Sequence, residues 1–325
     1  MIKIGIMGAG GVSRAHLPGY IENSSRAKVV AVSDLLEQAA RDLASKLGPD
    51  VRTYGDFNEL LEKEELDAVD ICLPHNLHAS AIIAAAQKVK TIMVEKPLCI
   101  SMEEADAIKS AVKDKGVNLI AAHTSIFTPS VQDAKRLSQG LVGRTYELIT
   151  NESFVLEDLG GSWRTKKAEM GGGELIDTGY HSLYRILYLS SSDPVEVYAA
   201  TQRFRLNMEG EDSALLTIKF ADGSLGQVNT SWAYENPYGY HSFYIIGEKG
   251  QLYGEGNFLG YKIKGFAEAT RKYDWKDPFI VEVGHMIDVA EGKAQPLQGI
   301  DDAYKVMKLA TAAYRSVEAG TPVKV

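Results

Sequence analysis

Ile2-Lys3-Ile4-Gly5-Ile6-Met7-Gly8-Ala9-Gly10-Gly11-Val12-Ser13 is the stretch on which the reading of the whole chain turns. Its first half is a short apolar run that reads as a buried β-strand, and its second half is a glycine-rich turn leading directly into a helix. Each residue type has a physical task there. Gly8 allows a tight turn, Gly10 lets the backbone approach a pyrophosphate, and the helix entered at Gly11 and Val12 stabilises that charge; small Ser13 stands where a third glycine or alanine is usual. A glycine-rich turn alone is common and needs no ligand. Here the next apolar run, Val29 to Ser33, ends at Asp34, so strand, loop, helix, second strand and terminal acid follow in the order of a dinucleotide-binding unit. The Asp34 carboxylate would accept hydrogen bonds from the adenosine ribose and repel a 2'-phosphate. Leu35 and Leu36 supply no guanidinium to reverse this, so NAD is the expected cofactor and NADP is disfavoured.

Outward from this unit, the first 122 residues alternate short Val- and Ile-rich runs with longer segments of helical period, the pattern of a parallel sheet with crossover helices. The expected strands are Ile2 to Met7, Val29 to Ser33, Ala68 to Leu73, Thr91 to Val94 and Val117 to Ala121. The expected helices are Gln38 to Leu47, Ala79 to Gln87 and Glu103 to Lys115, the last behind Ser101 with Glu104 three residues on, a capping box. From Tyr146 the texture changes. Ala214 to Phe220 and Ser224 to Trp232 alternate and are joined through Asp222-Gly223, a hairpin signal. One helix over Gly173 to Leu189 interrupts this half, and two more, Val281 to Glu291 and Asp301 to Ala319, close the chain. The expected architecture is an α/β Rossmann domain with a doubly wound parallel sheet over residues 1–122, followed by an α+β domain over residues 123–325 with a large, mostly antiparallel sheet. The junction is expected near His123 to Pro129, with the C-terminal helix free to pack back on the first domain.

The 325 residues suit two domains, each with its own core. Thirty-five Lys and Arg against 43 Asp and Glu give a net charge of −8, and no basic run is present, which argues against a nucleic-acid partner. No apolar run approaches the ~18 residues of a membrane span, and no charged segment precedes an apolar one at the N-terminus. A cytoplasmic protein with no membrane partner is expected. Cys72 and Cys99 are too few for a disulfide scaffold and read as reduced and buried.

At Glu95-Lys96-Pro97, closing the strand after Thr91, one family comes into view. The glycine loop, this Glu-Lys-Pro, the stretch Gly171-Gly172-Gly173-Glu174-Leu175-Ile176-Asp177-Thr178-Gly179-Tyr180-His181 and the closing Ala312-Ala313-Tyr314-Arg315-Ser316-Val317-Glu318-Ala319-Gly320 occur in the order of the Gfo/Idh/MocA oxidoreductases, which the chain resembles over nearly its whole length. The resemblance implies hydride transfer between a nicotinamide and a secondary alcohol or ketone of a sugar, sugar derivative or cyclic polyol. It places Lys96 beside the nicotinamide, with Asp177 and His181 facing it across the cleft. Cys72-Leu73-Pro74-His75-Asn76-Leu77-His78 is similar to the family's Thr-Pro-Asn-x-x-His, with Leu73 for Thr and His75 for Asn. That likeness implies that Leu73, Pro74, His75, His78 and Glu95 lie along the cofactor. Trp163-Arg164 matches a Trp-Arg pair near cofactor and substrate, and pairing through the open sheet face implies a homodimer or homotetramer. Inositol-type members carry an Asp three residues after the motif His; Tyr184 stands there here, which makes inositol itself a less expected substrate.

The residues support a reading of their own. Lys96 sits at the carboxyl end of a parallel strand, where such sheets bind ligands. Asp177 and His181 are four apart and on a helix would share one face, although a surface ion pair or cap would use the same spacing. Oxidising an alcohol requires a base for the hydroxyl proton, assigned to His181, with Lys96 stabilising the developing alkoxide and Asp177 orienting the substrate hydroxyls. In carbonyl reduction the proton roles reverse, and the direction stays open. Trp163 and Arg164 would equally be a buried Trp with a surface Arg. Trp232, Tyr234, Tyr238, Tyr240 and His241 would form a wall over a sugar ring, with Tyr234 the substrate candidate, or serve as plain sheet packing. Cys72, His75 and His78 invite a zinc reading, but no fourth ligand stands at an obvious spacing and Lys96 already supplies positive charge, so no metal is expected. Two other classes share the motifs: a dinucleotide-sensing regulator without turnover, and an NAD-dependent glycosidase acting by transient oxidation and elimination, which would return its NAD unreduced.

Overall fold

Six short apolar strands build the first sheet, most of them buried on both faces as crossover topology requires. In the computed structural model, which describes residues 1–325, these are β1 (Ile2–Met7), β2 (Ala27–Ser33), β3 (Arg52–Tyr54), β4 (Ala68–Ile71), β5 (Thr91–Glu95) and β6 (Asn118–Ala122), all parallel in the order β3-β2-β1-β4-β5-β6. The connecting helices are α1 (Gly11–Glu22), α2 (Glu37–Leu47), α3 (Phe57–Lys63), α4 (His75–Ala85) and α5 (Met102–Lys115). Strand order reverses between β1 and β4, the switch point at which open α/β sheets bind ligands. α5 starts as expected, Ser101 Oγ accepting the Glu104 amide at 3.2 Å, while the Glu104 carboxylate takes the Ile100 amide at 3.0 Å. α4 begins one turn earlier than its apolar period suggests, at His75 directly behind Pro74. β3 and α3 escape the sequence reading, because a three-residue, partly exposed edge strand has too few apolar positions to show a period.

The second sheet has nine strands. α6 (Pro129–Val142) leads into β7 (Thr145–Ser153); α7 (Lys167–Met170) and α8 (Gly179–Leu189) precede β8 (Pro194–Gln202), β9 (Ser213–Phe220), β10 (Leu225–Ser231), β11 (Phe243–Gly247), β12 (Gly250–Glu255), β13 (Phe258–Ile263) and β14 (Ala269–Lys272). With β15 (Val323–Lys324) the order is β14-β13-β12-β11-β7-β10-β9-β8-β15, antiparallel throughout except for the parallel pair β7–β10. The Asp222-Gly223 hairpin is present, with the Phe220 amide donating to the Ser224 carbonyl at 2.9 Å. α8 packs on β7 and β10 and α6 on β12 and β13. From Ala214 onward the side chains of β9 alternate: Leu216, Ile218 and Phe220 are buried, whereas Leu215, Thr217 and Lys219 are exposed on the uncovered face beside Tyr198 and Leu225. One expectation is corrected here. The helix projected from Gly173 begins only at Gly179, because Gly171 to Thr178 form a series of turns.

The chain forms two compact units that do not divide it at one point. The first comprises Met1–Thr124 and Lys276–Tyr304, the second Ser125–Trp275 and Lys305–Val325. α9 (Pro278–Ala290) belongs to the first and lies against α1, where Gly19 leaves room for Val283: an added Cβ would come within 2.6 Å of the valine Cβ. α10 (Ile300–Ala319) starts in the first unit and continues into the second. No helix is long and apolar enough to cross a membrane.

Candidate functional site

Gly8 brings two strand ends together. Its φ of +98° and the carbonyl of Cys72, on which any Cβ would collide, leave room only for glycine. The Gly8 amide donates to Ser33 and the Cys72 amide to Met7, both at 2.7 Å, so the ends of β1, β2 and β4 are joined through backbone. Beyond this junction the surface opens. Gly10 and Gly11 are exposed, a Cβ on either would meet nothing within 4 Å, and no side chain caps α1. The first-turn amides, those of Gly11 and Val12 included, have no intrahelical partner, and an uncapped helix start reached by bare glycine backbone fits a pyrophosphate. Ser13 is buried and donates its hydroxyl to the Gly10 carbonyl at 3.0 Å, closing the turn from within. Asp34 follows β2 with Oδ2 accepting the Ala9 amide at 2.7 Å and Oδ1 the Leu36 amide at 2.8 Å. Each oxygen retains capacity for a ribose hydroxyl. Leu35 and Leu36 are exposed beside it. The donor set fits NAD.

Glu95 ends β5, with half-buried Lys96 next to it. Behind Glu95 lies a network that the sequence reading missed. His16 of α1 is fully buried, Nδ1 at 2.7 Å from Asp70 Oδ2 and Nε2 at 3.2 Å from Glu95 Oε1. Burial opposes a cation there, but the Asp70 carboxylate overrides it and holds the imidazole protonated well above its usual range. Tyr20 donates to the same Asp70 oxygen at 2.7 Å and Cys72 to the other at 3.4 Å. A lone histidine inside a helix carries no motif; only folding reveals that it ties the helix of the glycine loop to the strand that presents Lys96. Nearby His123 is buried against Gln298 at 2.9 Å, and burial pushes its pKa down to about 4, leaving it neutral.

The loop after β4 is held by His78, whose ring nitrogens lie 2.7 Å from the Pro97 carbonyl and 2.8 Å from that of Leu73. Its polar atoms are thus turned to the two loops they join, and burial lowers its pKa. His75 is buried at the start of α4, 5.9 Å from the His78 ring, while Leu73 and Pro74 are partly exposed. The zinc reading of Cys72, His75 and His78 fails on geometry: Cys72 Sγ faces Asp70 and His16 instead. His16, Asp70 and Cys72 could in principle surround an ion, but direct hydrogen bonds already join them. Cys72 and Cys99 are free and buried, and burial pushes the Cys99 thiol up to about 12.

In the second unit, Asp177 and His181 are not on one helix, as their spacing suggested. Asp177 lies in the turn before α8, and His181 is in the first turn of that helix. The preceding glycines explain the turn. A Cβ on Gly172 would strike the Tyr314 hydroxyl and one on Gly173 the backbone of Glu211, so the chain runs flush against both. Tyr314 accepts the Gly173 amide at 3.2 Å and donates to Glu211 at 2.9 Å, and Glu211 takes the Leu175 amide at 3.0 Å. Trp232, buried on the sheet, donates its indole N–H to Thr178 Oγ1 at 2.8 Å, fixing the residue after Asp177. Asp177 is buried and receives Arg164 Nε at 2.5 Å; the guanidinium stacks 4.6 Å from the Trp163 ring. His181 is partly exposed, with Nδ1 2.6 Å from the Tyr184 hydroxyl. Beneath them Glu174 is buried, and burial pushes its pKa well up, though Thr230 donates to one oxygen.

The expected aromatic wall does not assemble. Trp232 is buried, Tyr238 and Tyr240 are exposed, and His241 stacks on Tyr253 at 4.9 Å. Tyr234 is 36% exposed and donates to Asn229 at 3.1 Å. These residues lie in the connection between β10 and β11 rather than on a strand, so no alternation aligns their side chains.

Comparison with known proteins accords with this geometry. Residues 2–123 match the model of an oxidoreductase family with an NAD-binding Rossmann fold, and residues 131–253 match the GFO/IDH/MocA C-terminal domain. The chain is 27% identical to scyllo-inositol 2-dehydrogenase (NAD(+)) of Bacillus subtilis, across 99% of this chain and 96% of the relative. It is 28% identical to D-xylose 1-dehydrogenase (NADP(+)) 2 of Haloferax volcanii, across 99% of both. Among solved structures, levoglucosan dehydrogenase in complex with NADH and levoglucosan superimposes with a TM-score of 0.90 at 22% identity, covering 100% of this chain and 99% of the other. From the glycine loop of the first unit to the Gly-rich turn of the second, the chain belongs to the GFO/IDH/MocA family of oxidoreductases and carries that family's NAD-binding Rossmann domain.

Proposed function

We propose that the protein transfers a hydride between NAD and a secondary alcohol or ketone of a sugar, a sugar derivative or a cyclic polyol, with residues 1–122 serving the cofactor and residues 123–325 the substrate. Relatives named for inositol, xylose and levoglucosan support that substrate class. The observation that carries the reading is the buried Asp177 held by Arg164 immediately before the helix that bears His181. A fixed carboxylate, a guanidinium with donors to spare and an imidazole suit a ligand made of hydroxyl groups.

Bound NAD would supply the hydride acceptor for alcohol oxidation. His181 takes the hydroxyl proton, a role suited to imidazole near neutral pH. Lys96 donates to the reacting oxygen and stabilises its growing negative charge. Asp177 accepts hydrogen bonds from substrate hydroxyls, with Arg164, Trp163 and Tyr234 bounding the substrate. In the reduction direction the same groups return the proton. The absence of a carboxylate at Tyr184 supports a substrate other than inositol. The test is a panel of aldoses, 1,6-anhydrosugars and inositols assayed for NADH absorbance, with NAD and NADP in parallel; the reading expects stoichiometric NADH from at least one substrate and fails if none reduces either cofactor.

Within the same reading the protein is a cytoplasmic homodimer or homotetramer, paired through the uncovered face that carries Tyr198, Leu215 and Leu225. Sedimentation at micromolar concentration should give a mass at least twice the 35.5 kDa of one chain.

A further inference from the structure

An imidazole carries its two nitrogens on opposite sides of one rigid ring, so a single histidine can fix the distance between acids on two different strands. His16 does this in the interior of the first unit. Its Nδ1 lies 2.7 Å from Asp70 on β4 and its Nε2 3.2 Å from Glu95 on β5. Asp70 is itself pinned, accepting the Tyr20 hydroxyl at 2.7 Å on one oxygen and the Cys72 thiol at 3.4 Å on the other. The Phe279 ring of α9 lies against the imidazole, with centroids 5.5 Å apart. Whichever atom of each pair carries the hydrogen, both acids are tied to the same ring, so the tether does not depend on a tautomer.

Glu95 passes this constraint to the next residue. Its Oε1 faces His16, and its Oε2 accepts the Lys96 backbone amide at 3.2 Å. On the other side of Lys96 the Pro97 carbonyl lies 2.7 Å from His78 Nδ1, so the main chain is held both before and after the lysine. Removing His16 would leave Glu95 buried among acids. Glu282 of α9 is fully buried, and its pKa is pushed well up by burial first and by Glu95 next, with Asp70 adding to the repulsion. A buried carboxylate that loses its partner is strongly destabilised; it turns away or takes up a proton, and either change loosens the Lys96 amide.

We propose that His16 is a positioning residue for Lys96: its ring, fixed on Asp70, holds the Glu95 carboxylate in the orientation that accepts the Lys96 amide, and so sets where β5 delivers the lysine to the reacting oxygen. The inference rests on the reading of Lys96 as the donor to that oxygen. No proton or electron passes through His16. Because His16 rides on α1, which opens at the glycine loop, one helix serves the cofactor at its start and the lysine farther along.

The test is a double-mutant cycle on the NAD-loaded protein, read as single-turnover rates with the fastest panel substrate at saturating NAD. His16→Gln keeps an amide donor but removes the rigid two-sided ring, and should lower the rate by roughly tenfold to 10²-fold, the cost of misplacing a catalytic group. On the Lys96→Ala background the same substitution should cost little more, because a residue that acts through Lys96 has nothing left to position. Losses that multiply in the double variant overturn the proposal, since a packing or stability role is independent of the lysine. A folded His16→Gln protein with an unchanged rate overturns it too. Glu95→Gln, close in shape to the native residue, has one acceptor oxygen where the bridge uses two; its loss should vanish against Lys96→Ala in the same way, and it decides the question if the buried His16 variant does not fold. Near-normal turnover by Lys96→Ala alone would instead overturn the reading of Lys96, and the proposal with it.

Discussion

Arg164 donates Nε–H to Asp177 Oδ2 at 2.5 Å, joining a side chain that is 41% exposed to a carboxylate that is 4% exposed. This contact, with the guanidinium stacked on the Trp163 ring, holds Asp177 in one orientation. Arg164→Ala should therefore raise KM for the sugar or polyol by about tenfold, the effect of losing one charge-assisted hydrogen bond, with a smaller change in kcat. Arg164→Lys should restore little, since a point-charge ammonium does not reproduce the planar stacked geometry. Asp177→Asn should likewise weaken substrate binding more than proton transfer. Initial rates across substrate concentration read all three.

Asp34 is held by the Ala9 and Leu36 amides rather than by a cation. NAD should bind more tightly than NADP, and Asp34→Ser should narrow the difference by removing repulsion of a 2'-phosphate. Fluorescence titration with both cofactors checks this, and equal binding by the unmutated protein would reject the assignment.

Lys96→Ala and His181→Ala should each lower kcat by about 10²- to 10⁴-fold and leave NAD affinity near its original value, because the glycine loop and Asp34 carry the cofactor. The double variant should be only slightly worse than the poorer single one, as expected for groups that serve one transition state. Turnover paired with NAD titration on the same preparations decides it.

Glu174 is buried with its pKa raised, burial being the dominant cause. A carboxyl whose folded pKa exceeds its unfolded value stabilises the protein below the unfolded value, and that contribution is lost as pH rises toward the folded pKa. Glu174→Gln removes the titration, so its Tm relative to the unmutated protein should rise from pH 5 to pH 8. A change of 1 kcal/mol corresponds to roughly 2–4 °C in a domain of this size, which thermal melts at the two pH values resolve.

Local pattern was enough to read the parallel sheet, its glycine loop, the Asp222-Gly223 hairpin and the family, because each depends on residues near one another in the chain: strand periods of two, turns that need glycine, motifs in fixed order. Lys96, Asp177 and His181 could be named for the same reason. What they touch could not. His16 meets Asp70 and Glu95 across 54 and 79 residues of sequence, and Arg164 reaches Asp177 only because Gly172 and Gly173 lie flush against Tyr314 and Glu211. The same packing ends the helical period before Gly179, where the sequence pattern ran on from Gly173. Hydrophobic periodicity reports which face of an element is buried. The partner of a buried polar group is chosen by strand order and helix packing, where an unsatisfied donor or acceptor costs more than the local preference can offset, and that choice exists only in the folded chain.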